Sequence, residues 1–222
     1  DETLIRQNRE RMAALEKLFD KRCQGEAVSH EWRGMETFMG DSAISSITSA
    51  FAADIAVAQQ IDPDRESDPA ADLEALVFES GRPVLFIPYT WQGPLKAEKV
   101  IVAWNGKRES ARAVFDAMPF LKKAKSVEIL CVDPADTDEH SALMAAAQIA
   151  MALDRHGIKA EVVNQVSGGI PVAAAIQNRV ADTEADMLVM GAYSKSRIRE
   201  RLFGGVTYAM LKSMTALTLM SR

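Results

Sequence analysis

Gly191, Ser194, Gly204, Gly205 and Thr207 lie on one stretch of this 222-residue sequence and have the types and spacing for anion chemistry. Gly191 follows the apolar run 186–190 and lets a ligand approach the backbone closely. Gly204-Gly205 stands where a helix opens, and the first amides of a helix have no intrahelical partner and attract anions. Thr207 adds a hydroxyl donor in the first turn of that helix. Together these residues are shaped for a nucleotide phosphate, although a sharp turn and a helix start would use the same glycines. Lys195, Arg197, Arg199 and Arg201, on the same stretch, read first as a solvated loop face and second as phosphate contacts.

Positioning such a turn requires strands and helices in alternation. Lys99–Trp104 is short, apolar and β-branched, as a buried strand is, and Asn105-Gly106 then turns the chain. Ala111, Val114, Phe115, Met118 and Leu121 recur at helical spacing, with Pro119 bending or ending that helix. Ser126–Val132 reads as a second strand and 137–156 as a long helix closed by Gly157. Ala160–Val166 is a third strand. Ser167-Gly168-Gly169 leads into a helix with Pro171 in its first turn and a core face of Val172, Ala175, Ile176, Arg179 and Val180. Asp186–Met190 and Ala216–Met220 complete five strands. This order predicts a doubly wound, five-stranded parallel α/β sheet with its ligand beyond the carboxyl ends of the strands.

The first part of the chain repeats the later part of that plan. Thr3–Arg22 corresponds to the long helix, Ser29–Phe38 to the third strand, Ser42–Ala53 to the following helix, Asp54–Gln59 to the fourth strand and Pro83–Pro88 to the fifth. Ala53-Asp54 before IAVAQ and Ala185-Asp186 before MLVMG fix the register. Leu73, Leu76, Val77 and Phe78 give a helix face before the last of these strands. The expected organisation is therefore an incomplete first copy over residues 1–90, a linker over 91–98 containing Trp91-Gln92-Gly93-Pro94, and a complete second copy over 99–222. The first copy lacks its opening strand–helix–strand, about fifty residues by the length of such a unit. Its glycine turn is also replaced by acidic and Asp-Pro sequence, so it should bind no nucleotide.

Composition narrows the partners. A net charge of −5 without a long basic cluster argues against nucleic acid, and no apolar run reaches the roughly 18–20 residues of a membrane span. Two cysteines, Cys23 and Cys131, fit a reducing, cytoplasmic setting, and three scattered histidines suggest no zinc site.

The spacing of the turn resembles the GxxGx(9)G(S/T) signature of the nucleotide-binding branch of the universal stress protein family. Gly191 and Gly204 match, Ser194 stands for the second glycine, and Gly205 for the hydroxyl residue. KVIVAWNGKRESARAV resembles the family's first strand and helix, with Asn105 where an Asp is usual. The closing GGVTYAMLKSMTALTLMS follows the family's order, so the likeness covers 98–222 and, more faintly, 1–90. It implies the adenine nucleotide alpha hydrolase-like fold in tandem copies. Adenosine would meet Ala103, Asn105 and Val132, phosphates would meet the turn at Gly191, Ser194, Gly204, Gly205, Val206 and Thr207, and Met190 belongs to the same nucleotide-binding set. Asn105 offers one carbonyl acceptor where Asp offers a charge, a loss of about 1.5–3 kcal/mol.

The implied function is a stress-response regulatory protein with one ATP site per chain, magnesium serving as the nucleotide's counter-ion. No Walker-type loop, nucleophile elbow or metal cluster supports committed catalysis, so any hydrolysis should be slow. The alternative is a nucleotide-free interaction module, paired within the chain or as a homodimer through an exposed edge such as Ala216–Met220. An ATP-dependent activating enzyme is a third reading.

Overall fold

The computed structural model describes residues 2–34, 42–62, 70–133, 139–193 and 205–222. The chain forms two compact units, residues 1–45 and 46–222.

In the first unit, helix α1 (Glu2–Gly25) is followed by a segment without regular structure, residues 28–34. The strand expected at Ser29–Phe38 is therefore not formed over 29–34, and its remainder lies outside the described residues. A strand needs a ladder partner, and this segment packs by side chains instead. Phe19 meets His30 edge-on at 5.4 Å and Trp32 at 5.7 Å. His30 Nε2 lies 3.0 Å from Asp20 Oδ1, and Gly34 runs so close to α1 that an added Cβ would meet the end of Met12 at 2.9 Å.

In the second unit the elements run α2 (Ser42–Ala50), β1 (Ala56–Gln59), α3 (Ala70–Glu79), β2 (Val84–Ile87), β3 (Lys99–Ala103), α4 (Arg108–Asp116), α5 (Met118–Leu121), β4 (Ser126–Val132), α6 (Glu139–Arg155), β5 (Ala160–Gln165), α7 (Val172–Asp182), β6 (Met187–Gly191), α8 (Val206–Ser213) and β7 (Leu217–Ser221). Helix α2 starts just before the boundary between the units.

One seven-stranded sheet has the order β1-β2-β7-β6-β3-β4-β5. The five strands of the expected doubly wound domain are present and parallel, with β3 between β6 and β4. The sheet then continues into the earlier part of the chain, where β2 pairs β7 antiparallel and β1 pairs β2 parallel. Burial follows this order. β6 and β7 lie between neighbours and are apolar and buried along their length, while β1 and β5 at the edges alternate with solvent.

Two helix faces differ from the periodic pattern. Pro119 divides the first helix at Ala117, so Val114 and Leu121 are buried but Phe115 is 48% exposed. Pro171 is the N-cap of α7 rather than a first-turn residue, and Val172 faces outward while Ala173 takes its place in the core. Arg179, on the same helix, forks both carboxylate oxygens of Glu128 on β4 at 2.9 and 2.6 Å, which lets a charged residue occupy a core-facing position. Among the described residues no helix is long and apolar enough to cross a membrane.

Candidate functional site

Strand β3 lies between β4 and β6, and these two neighbours are reached by connections that diverge. That divergence leaves a crevice at the carboxyl ends. A cavity of about 260 Å³ occupies it. Ala103, Trp104 and Asn105 line it from the end of β3, Leu130 and Val132 from β4, and Met190 and Gly191 from β6. Val172 and Ile176 of α7 form another wall, and Gly205, Val206 and Thr207 at the start of α8 close it.

Eight of the ten residues expected from sequence therefore come together here; Ser194 and Gly204 lie outside the described residues. The four additional lining residues have recognisable signals. Leu130 is two residues from Val132 on the same strand face, and Val172 and Ile176 are one helical turn apart. Trp104, expected to be packed, is 7% exposed and belongs to the core as well as to the cavity wall.

The walls are apolar, and polarity gathers at two places. At α8 the first ladder bond between described residues runs from Ala209 N–H to Gly205 O, after the amides of Val206, Thr207 and Tyr208. Gly205 has no side chain to cap them. The Thr207 hydroxyl accepts a bond from the Tyr193 amide at 3.1 Å, which leaves its own hydrogen to donate. Tyr193 holds this position at φ +54, in a backbone region that non-glycine residues rarely enter. At β3 the Asn105 side-chain carbonyl accepts from the Lys107 amide at 3.1 Å, and Gly106 turns at φ +71. Asn105 is thus both the tight turn and a cavity wall, with its side-chain NH₂ still available.

Gly191 has a second reason to be glycine. A Cβ there would lie 2.5 Å from the backbone carbon of Glu109 and the backbone nitrogen of Ser110. The start of α4 fills the space a side chain would take. Beside the cavity, Asp133 at φ +40 accepts the Ser167 amide at 2.9 Å, and hydrogen bonding to Ser167 lowers its carboxyl below the ordinary range. This bond joins the end of β4 to the loop before α7. Cys131 is buried among apolar residues, and burial pushes its thiol up, away from reactivity.

Among the described residues, none that lines the cavity carries an ionisable side chain. The chemistry available is apolar contact, hydrogen bonding and the partial positive charge of a helix start.

A sequence model of the Universal stress protein family matches residues 96–222. A universal stress protein from Archaeoglobus fulgidus DSM 4304 superposes with a TM-score of 0.73 at 15% identity, over 96% of this chain and 78% of that one. A second structure, from Pseudomonas aeruginosa UCBPP-PA14 and provisionally assigned as a universal stress protein, gives 0.62 at 16%, over 94% and 77%. A universal stress protein solved in complex with cAMP gives 0.43 at 22%, over 55% and 95%. At these identities the first two show the likeness of fold. No curated protein matches the sequence.

Proposed function

The chain belongs to the universal stress protein family, and from that premise we propose that residues 99–222 bind an adenine nucleotide, ATP foremost, as a regulatory rather than catalytic act. The observation that carries this reading is the cavity's division into an apolar slot and an uncapped helix start. A base and ribose would lie against Ala103, Asn105, Val132 and Met190, and phosphates would point to Gly191, Gly205, Val206 and Thr207. Ser194 and Gly204 complete the proposed set. A volume of about 260 Å³ is below the roughly 300 Å³ where ligand pockets begin, which suits a nucleoside with its phosphates at the mouth. With no carboxylate among the described wall residues, magnesium would arrive on the nucleotide's own phosphates. Without a general base among those residues, hydrolysis would be slow.

In the same reading, residues 1–90 and 99–222 are two copies of one plan joined by 91–98, and only the second copy holds nucleotide. The setting is the cytoplasm, in keeping with two free thiols.

Calorimetry with ATP and magnesium tests the site. Binding should weaken at least tenfold in Val172→Trp, which blocks the wall at a half-exposed position, and less in Thr207→Val. No heat from the parent chain at millimolar ATP would overturn the proposal.

A second reading, an interaction module without nucleotide, draws support from the β2–β7 joint and from the local engagement of the Asn105 carbonyl. The edge of β7 is covered within the chain, so a homodimer would use another face.

A further inference from the structure

A second concavity, of about 490 Å³, lies between the end of α3, the outer turns of α4 and the far end of the β2–β7 joint. Among the described residues it shares no lining residue with the nucleotide cavity. Arg82, Arg108, Arg112 and Arg222 line it together with Phe78, and no Asp or Glu among the described residues does. From this convergence we propose a binding site for a small molecule bearing two or more phosphate groups.

The arginines meet because of the fold. Val84 is opposite Met220 in the antiparallel ladder, and continuing that register by two residues sets Arg82 opposite Arg222. Directly opposed positions of an antiparallel pair share a face, and like charges there repel. Arg108 and Arg112 are one turn apart on α4, which packs on β6 and β7, so they rise on the same side. Four guanidinium groups are thereby gathered from three distant parts of the chain.

Their partners leave charge over. Arg108 bonds Glu109 at 2.7 Å and Arg112 bonds Asp116 at 3.0 Å. Among the described residues, Arg82 bonds the Phe51 carbonyl at 2.9 Å and Arg222 the Phe78 carbonyl at 3.4 Å, both neutral acceptors. The Arg222 guanidinium also lies 3.3 Å from the centre of the Phe78 ring, which meets Tyr193 edge-on at 5.8 Å. That stacking fixes one guanidinium plane in advance. Two guanidinium groups that bond neutral acceptors among the described residues, opposed to each other and flanked by two more, suit an anion that bridges them. Guanidinium forks match phosphate oxygens in pairs, which favours phosphate over a single carboxylate.

The test uses inorganic tripolyphosphate, which lacks base and ribose, on the full chain at low salt, read by calorimetry and by thermal shift. Binding is expected in the parent, weakened at least tenfold in Arg82→Gln and in Arg222→Gln, and weakened further at high salt. Because removing one member relieves the opposed pair, unliganded Arg82→Gln should melt no lower than the parent while its tripolyphosphate shift disappears. Binding should persist in Thr207→Val, which separates this groove from the nucleotide site. The proposal is overturned if tripolyphosphate does not bind, or if both arginine variants bind it as the parent does. It also fails if Thr207→Val abolishes binding, or if a polyglutamate peptide of matched charge binds equally well.

Discussion

The carboxyl ends of β6 and β1 are used in opposite ways. β6 ends at Gly191, and Ala192 N–H bonds Ser221 O on β7. β1 ends at Gln59, and Gln60 N–H bonds Ile87 O just as β2 ends. Gln59 and Gln60 thus stand where Gly191 and Ala192 do. Gly191 is bare, so the start of α4 can press against it and a cavity can open beside it. Gln60 is buried at 2% exposure, its side-chain amide donating to Leu211 O at 3.2 Å and its carbonyl accepting from Tyr89 N–H at 3.3 Å. Leu211 lies in the last turn of α8, where carbonyls have no intrahelical partner. Where β6 leaves room for a cavity, the end of β1 is clamped to the helix that closes it.

The largest effect expected from breaking this contrast is at Gly191. In Gly191→Ala a methyl group would sit within 2.5 Å of two backbone atoms of α4, which cannot rotate away. A loss of about 2–3 kcal/mol in urea unfolding is expected, together with loss of nucleotide binding as α4 shifts. Gln59 is exposed, so Gln59→Ala should stay within about 0.5 kcal/mol of the parent. Equal costs at the two positions would refute the distinction.

The clamp predicts a smaller cost. Gln60→Leu keeps the volume but leaves the Leu211 carbonyl and the Tyr89 amide without their side-chain partner, at about 1–3 kcal/mol. Amide exchange should quicken at the end of α8 and at Tyr89 before it does in β4 or β5. Unchanged exchange in α8 would show that Gln60 merely fills space.

β1 and β4 also show what a sequence makes legible. Burial turns inner strands into largely apolar runs, so Ser126–Val132 is read to the residue. The Ala53-Asp54 anchor points to β1. A strand defined by a partner cannot be read alone, which is why residues 29–34 pass for one and form none. The β2–β7 pairing likewise depends on two segments far apart in sequence, and so does the gathering of Arg82 with Arg222. At the site, spacing along the chain pointed to the strand ends and the start of α8 that line the cavity, while Ser194 and Gly204 of the turn lie outside the described residues. It missed Val172 and Ile176, because a cavity wall on a helix has the same periodicity as a core face. The steric reason for Gly191 was hidden too, since Glu109 and Ser110 approach it only in three dimensions.

The smallest effect expected is a pH dependence carried by that same approach of α4. Glu109 is 4% exposed, and burial pushes its carboxyl up. The hydrogen bond from Arg108, aided by a backbone bond and by the charges of Arg108 and Lys107, outweighs burial and brings it below a glutamate's ordinary 4.5. A carboxyl lowered on folding adds stability above its unfolded value and loses it as the pH falls through the folded one. Stability should therefore decline from about pH 5 downward in the parent, and that decline should be shallower in Glu109→Gln. The first copy's joint offers the control. Gln60 does not titrate, so Gln60→Leu should lower stability by the same amount at pH 7 and pH 4. Parallel acid profiles for the parent and Glu109→Gln would remove Glu109 as the source.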